Sequence, residues 1–381
     1  MPWKALGSSP GTPDWFEIAA EGMERMLRAD AVAEKNRPYR PIKQATEKRV
    51  IDIHVHIVGT GDLSTGCRMS KDFALSSTYA AMLIGLGASP YEIRDEKIMD
   101  ILLNAINTSE KIDGAVLLAI DGVYKNCKYL GPESHLVVPN DYVINAARKN
   151  RRVLFGASVH PYRDPKELLA ETRRCIDEGA VLFKWVPSKQ QIDPWDERCI
   201  PFYIHLAREG VPLMCHTGAE FTTKTNEFRN NRLNAPRRLE KALDVGVKVI
   251  ATYCAAFSNR AFPDADKSYF NELIEMLRTA QVKNWDLYAD ISAFCTPARI
   301  SYLERIRSEV SRGTISSARF LYGSDFPMPA IDINLLKGPP DPNVLMHLKS
   351  HGNPLDNHYD FLKKFGIDDA IFTNACDVLK L

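Results

Sequence analysis

The chain has 381 residues, 45% hydrophobic, 25% charged and 9% aromatic, which excludes a disordered, collagen-like or disulfide-dense protein. Its 49 basic and 48 acidic side chains leave a formal net charge of +1 without any charged block, so neither nucleic acid nor an anionic membrane surface is expected as a partner. No apolar run is long enough to span a membrane, the first thirty residues lack an apolar signal core, and eight scattered cysteines are too sparse for a disulfide scaffold; a reduced, cytoplasmic protein is expected.

Residues 1–12 are rich in Gly, Ser and Pro and read as loose chain. Residues 13–35 read as a helix. Pro13 and Asp14 give the start signal, and Trp15, Phe16, Ala19, Met23, Met26 and Leu27 recur at helical spacing. Pro38 and Pro41 then break the pattern. This helix either packs on the main body or serves as a dimerisation arm, so a homodimer is one reading. Residues 1–48 form an N-terminal extension, and 49–381 the main domain.

From residue 49 a rhythm begins. Apolar and β-branched runs fall at 50–56, 114–121, 153–160, 180–186, 211–216, 247–254, 286–292 and 319–325. Helical patterns lie between them, as at 164–178, 195–209, 269–281 and 297–312. Strands alternating with helices mean parallel βα units, and eight such units close most naturally into an α/β fold of the (β/α)8 TIM-barrel type. Three long excursions, 57–97, 122–140 and the proline-rich 326–356, leave the C-terminal ends of strands, where barrel active sites lie. A lidded pocket is expected.

The strand ends carry polar residues. In Ile51-Asp52-Ile53-His54-Val55-His56, strict alternation puts Asp52, His54 and His56 on the face toward the barrel mouth and Ile51, Ile53 and Val55 on the face toward the helices. Two imidazoles at i and i+2 can converge on one cation, although two surface histidines would give the same pattern. The fifth run ends in Cys215-His216-Thr217-Gly218, the eighth in Gly323-Ser324-Asp325-Phe326-Pro327, and the fourth carries Lys184 among apolar neighbours. Each is a costly intrusion into a strand unless it binds something.

With these motifs the chain resembles the amidohydrolase superfamily, in the branch that holds metal-dependent hydrolases and some aromatic-acid decarboxylases. The resemblance runs from about residue 49 to 380. It implies that His54, His56, His216 and Asp325 ligate a divalent metal, and that Asp325 takes a proton from the bound water. It also implies that Lys184, if carboxylated, bridges two metals. Lys184 has two other readings: a free ammonium that holds a substrate carboxylate, or a partner of a barrel acid such as Asp121 or Glu220. One position departs from the family pattern. The usual strand-six histidine is replaced by Tyr253, which puts a standard two-metal site in doubt. A phenol donates a hydrogen bond but does not charge near neutral pH. Either Tyr253 or His160 then takes the electrophile's role.

His160 ends the third run before a proline; it caps the strand, or it acts as a general acid or substrate anchor. Asp121, Tyr124, Trp185, Glu220, Asp290 and Ser292 stand at or just past strand ends and are candidate pocket walls, with Lys184, Trp185, Asp121 and Glu220 the candidates for substrate contact. Three functions are open. The first is hydrolysis of a small-molecule amide or lactone through a metal-activated water, with zinc as the expected metal and manganese or iron as alternatives. The second is non-oxidative decarboxylation of a hydroxylated aromatic acid on the same site. The third is a barrel that only binds a ligand, for which only Tyr253 argues.

Overall fold

The computed structural model describes residues 48–61, 65–89, 93–220, 230–257, 265–296, 298–330 and 352–381. The expected helix at 13–35 lies outside them, as does most of the 326–356 excursion. Eight parallel strands pair in chain order: β1 (Ile51–His56), β2 (Gly114–Leu118), β3 (Val153–Ala157), β4 (Ala180–Trp185), β5 (Leu213–His216), β6 (Val249–Thr252), β7 (Leu287–Asp290) and β8 (Phe320–Leu321). All of the expected runs contain a strand, each shorter than its run.

The sheet closes on itself. Beyond β8 the chain stays beside β1: Ile53 N donates to Tyr322 O at 3.2 Å, Asp325 N to His54 O at 2.9 Å, and His56 N to Phe326 O at 2.7 Å. A main helix follows each strand: α1 (Asp95–Thr108), α2 (Asn140–Lys149), α3 (Pro165–Asp177), α4 (Ile200–Glu209), α5 (Glu240–Val245), α6 (Ala265–Thr279), α7 (Leu303–Ser311) and α8 (Pro354–Phe365). Local chemistry sets their ends. Asp164 caps α3 by accepting from Lys166 N and Glu167 N, with Pro165 in the first turn. Gly210 ends α4 in the left-handed conformation that costs glycine least. No helix among the described residues is long and apolar enough to cross a membrane.

Two apolar layers result. Outside the sheet, Phe183 and Trp185 of β4 meet Phe202 of α4 with ring centroids 5.4 and 4.9 Å apart. Alternation therefore turns Leu182 and Lys184 inward. Inside, Ile51, Ile53, Val116, Leu118, Leu182, Met214, Ile250 and Leu321 pack together, and Ala375, Val378 and Leu379 of the C-terminal segment join them. Cys376 Sγ reaching Arg49 O and Lys248 Nζ reaching Val378 O place that segment at the N-terminal ends of the strands. The bottom of the barrel is thus plugged, and only the C-terminal end is left for polar chemistry.

The inward position of Ile51 and Ile53 corrects the strict alternation expected of β1. Asp52 faces Ala115 while Val55 faces Leu117, so three residue steps of β1 span two of β2. The extra residue is a bulge that resets which face each side chain takes. Ile51 and Ile53 fill the barrel, Val55 joins the outer layer, and His54 and His56 still reach the mouth. Asp52 is spent on the closure, its Oδ1 accepting from Ser324 N and His54 N.

The first two excursions are tied to each other. Arg68–Met69 pairs antiparallel with Leu136–Val137. A ten-residue helix, Ser77–Leu86, stands in the first excursion with Tyr79, Met82, Leu83 and Leu86 buried, a helical stripe.

Gly323 marks the tightest point of the closure. A Cβ there would lie 2.5 Å from Ser292 Oγ and 2.8 Å from His54 Cβ. Gly323→Ala is expected to cost about 1–3 kcal/mol, read as a lower urea midpoint at unchanged slope. An unchanged midpoint would show that β1 and β8 approach less closely than described.

Candidate metal centre

The ends of four strands and the residues that follow two others supply the polar cluster. His54 and His56 come from β1, Lys184 from β4, His216 from β5 and Asp290 from β7; Tyr253 follows β6 and Asp325 follows β8. Closure of the barrel sets Asp325 against the two β1 imidazoles.

His54 is fully buried, with Nδ1 at 2.8 Å from Asp290 Oδ2. A carboxylate only accepts, so Nδ1 carries the proton and Nε2 presents its lone pair. Burial, with the charge of Lys184, pushes the His54 pKa down to about 4, so the ring is neutral at pH 7. Burial alone would raise the Asp290 carboxyl, but the neighbouring His54, Lys184 and Tyr253 N–H outweigh it and hold it below the usual range.

Three polar atoms crowd that one lone pair. His56 Nε2 and Lys184 Nζ both stand 3.1 Å from His54 Nε2, and Tyr253 Oη 3.2 Å. Asp325 Oδ1 lies 3.6 Å from His54 Nε2 and 3.4 Å from His56 Nε2. His54, His56 and Asp325 form a group whose ligand atoms all fall within 4.8 Å of one another, able to hold a divalent cation. Zinc–nitrogen bonds of about 2.0–2.1 Å at a tetrahedral angle separate two ligand atoms by about 3.3 Å. The observed spacings bracket that value, so the donor set fits.

The backbone here is strained. Tyr253, Cys254 and Ala255 hold φ of 60°, 47° and 52°, and Asp325 holds 67°. Each such non-glycine conformation costs on the order of 1–3 kcal/mol and persists only where its surroundings impose it. Asp290 Oδ1 imposes it by accepting from Tyr253 N at 2.7 Å, and Asp290 O accepts from Cys254 Sγ. The result aims the Tyr253 hydroxyl at Asp325 Oδ1, to which it donates at 2.8 Å. Burial and the nearby carboxylates push the phenol pKa well above its ordinary value, so Tyr253 keeps its proton. Burial would raise the Asp325 carboxyl too, but the hydrogen bond from His56 and the nearness of His54, His56 and the Arg299 guanidinium hold it well below the usual range.

His216 lies beside this group without joining it. Its ring meets Tyr253 at 4.9 Å between centroids, the same separation as His54 from Tyr253. His216 Nε2 is buried without a hydrogen-bond partner and stands 3.7 Å from Glu220 Oε2. Lys184 pairs with neither expected acid: it reaches His54, while Asp121 is held by Arg163 and Glu220 faces His216 and, at 4.0 Å, Lys189. Burial lowers the Lys184 pKa to about 8.

Three other candidates are turned to different work. His160 spends both ring nitrogens locally, Nε2 donating to Gln190 O and Nδ1 accepting from Tyr162 N. Asp121 also accepts from His160 N. Trp185 donates from Nε1 to Val159 O and stacks on Phe202 in the helix layer. Conversely, Asp290 emerges as the group that orients His54, and Arg299, whose guanidinium lies 4.2 Å above the Tyr253 ring, stands in a stretch that reads simply as helix. Its helical surroundings gave no signal that it turns toward the mouth.

Asp290→Asn removes the acceptor that fixes the His54 tautomer while keeping the side chain's size. Zinc affinity is expected to fall about 10- to 100-fold, read by competition against a chromophoric chelator. Unchanged affinity would mean that His54 is not a ligand.

No family model matches the chain, and no curated protein matches it. Solved structures do. One is described as a probable 2-pyrone-4,6-dicarboxylic acid hydrolase from Acinetobacter baumannii with citric acid bound; it has 12% identity and a TM-score of 0.52, over 87% of this chain and 100% of that one. A second, from Pseudomonas putida with the same provisional description, has 12% identity and a TM-score of 0.50, over 88% of this chain and 98% of that one. At such identity the likeness speaks for architecture: the chain has the (β/α)8 barrel fold of these proteins.

Proposed function

We propose that the chain is a metal-dependent hydrolase of the amidohydrolase type, cleaving an amide or lactone bond of a small molecule. One observation carries this reading. The buried Asp290 fixes His54 in the tautomer whose lone pair points at the place where His56 Nε2 and Asp325 Oδ1 also converge. His54, His56 and Asp325 would hold the metal, with His216 as the fourth ligand that the family resemblance implies. Two imidazoles and a carboxylate suit zinc, and manganese or iron would also bind. When bound, such an ion supplies a Lewis acid and lowers the pKa of water toward about 7.

The chain's own residues do the rest. Asp325, ionised and within reach of the cluster, takes the proton of the attacking water and returns it to the leaving group. Tyr253 keeps its proton and donates a hydrogen bond to the oxyanion that develops on the carbonyl, the part a histidine usually plays at this strand. Lys184, inside the barrel beside His54, holds an anionic part of the substrate as an ammonium. A 2-pyrone is a cyclic ester, so the description of the fold neighbours agrees with a lactone substrate. Lys184 also supports a second reading, non-oxidative decarboxylation on the same residues, because a buried ammonium suits an acid substrate.

Inductively coupled plasma mass spectrometry on the wild type and Lys184→Ala tests the metal. We expect close to one metal per chain in both, and loss of lactone or amide hydrolysis on chelation with recovery on adding zinc. Two metals falling to one in Lys184→Ala would instead indicate a carboxylated lysine bridge. Carbon dioxide release without hydrolysis would replace the first reading with the second. Tyr253→Phe is expected to lower kcat by about 10²–10³ with metal content retained; a change confined to KM would remove Tyr253 from the oxyanion's stabilisation.

A further inference from the structure

Asp325 opens a tight turn, Asp325-Phe326-Pro327-Met328, which Met328 N closes by donating to Asp325 O at 2.8 Å. Asp325 holds φ at 67°, a conformation that persists only where its surroundings impose it. β1 holds the first half of the turn, because His54 O accepts from Asp325 N and His56 N donates to Phe326 O. Ser324 Oγ accepts from Phe326 N at 2.9 Å and holds the same half. The second half, Pro327 and Met328, is met by two other segments.

α8 is one of them. Its His358 is fully buried, with Nε2 at 2.9 Å from Met328 O and Nδ1 at 2.8 Å from Cys295 Sγ, in the segment after β7. A carbonyl only accepts, so Nε2 carries the proton and Nδ1 accepts from the thiol. Burial pushes the His358 pKa down to about 4 and the Cys295 thiol up, so the ring is neutral and the thiol keeps its proton. A buried histidine that served the core alone could take any carbonyl. This one takes the carbonyl of the residue whose N–H closes the Asp325 turn. The helix Ser77–Leu86 of the first excursion is the other segment. A Cβ on its Gly85 would collide with Pro327 O and lie 2.7 Å from the Pro327 carbonyl carbon. Glycine weakens a helix interior, and here its missing side chain lets the turn lie directly on the helix backbone.

We propose that Gly85 and His358 are positioning residues for the Asp325 carboxylate: they hold the Pro327 and Met328 carbonyls, and so fix the turn that sets Asp325 against the two imidazoles of β1. This rests on the metal-centre reading of His54, His56 and Asp325. A site held in its binding geometry before the ion arrives binds it more tightly. The test is zinc affinity of the full chain, by competition against a chromophoric chelator, with the urea midpoint of each metal-free protein beside it. His358→Met fills the space without a donor and should weaken zinc about tenfold or more. His358→Gln, which offers an N–H to Met328 O again, should recover most of that loss. Gly85→Ala improves the helix but crowds Pro327, and it should also weaken zinc about tenfold. Phe202→Leu, in the helix layer against Phe183 and Trp185, should lower the urea midpoint and leave zinc affinity unchanged.

Unchanged zinc affinity in His358→Met and Gly85→Ala overturns the proposal. So does an equal loss in Phe202→Leu, which would show that any destabilisation weakens the site. A glutamine variant as weak as the methionine one removes the bond to Met328 O from the account. Gly85→Ala, on a separate segment, decides the matter if His358→Met fails to fold. The absorption bands of the cobalt(II)-loaded protein give a spectroscopic check, since they follow ligand geometry: they should change in His358→Met and Gly85→Ala and not in Phe202→Leu. The wild type reads the metal centre separately. No zinc binding by the wild type removes the centre and the proposal with it; zinc bound equally by wild type and variants leaves the centre standing and removes Gly85 and His358 from its support.

Discussion

The hydrogen bonds that close the barrel hold the whole site together. Asp325 N donates to His54 O, and His56 N donates to Phe326 O, so the segment after the last strand runs beside the first strand at its two imidazole-bearing residues. Those bonds set the Asp325 carboxylate 3.4 Å from His56 Nε2 and 3.6 Å from His54 Nε2, although the residues lie far apart in the chain. Any slip in this register would send the carboxylate to another side of the sheet. The absence of a side chain at Gly323 and the grip of Asp52 on Ser324 N serve the same closure.

Asp290 is the second fixed point, and it does two jobs with its two oxygens. One oxygen orients the His54 ring; the other accepts from the backbone of Tyr253 and helps hold three successive residues at positive φ. Strain of that kind is retained where it places a functional group. Here it sets the phenol against both His54 and Asp325. Burial then determines the protonation states. It keeps His54 and His216 neutral and the Tyr253 phenol protonated, the states in which imidazoles ligate and a phenol donates.

The barrel separates stability from chemistry. Aliphatic side chains and the C-terminal segment fill its lower half, while its mouth holds His216 Nε2, buried and without a hydrogen-bond partner among the described residues. Buried polar atoms without partners are rare in folded proteins, and His216 Nε2, on the ring that meets Tyr253, is one that a ligand at this end of the barrel would satisfy. The excursions after β1 and β2, joined by the pairing of Arg68–Met69 with Leu136–Val137, belong to the same end of the barrel.

The sequence by itself determined the architecture. The period of apolar runs and helical patterns identifies the alternating strands and helices, because burial on both faces of a parallel sheet demands continuous apolar segments. It also located the polar residues at strand ends, since a histidine, lysine or aspartate there breaks that apolar run. What it could not decide is direction. Ile53 and Val55 look equivalent until a single bulge turns one inward and the other outward. His160, Asp121 and Trp185 carry the same strand-end signature as His54 and Asp325, yet their polar atoms are consumed by Gln190, Arg163 and Val159. Asp290 and Arg299 take their roles only from neighbours on other strands. Partner choice among polar side chains depends on distances of a few ångströms between segments far apart in the chain, and only the closed barrel fixes those distances.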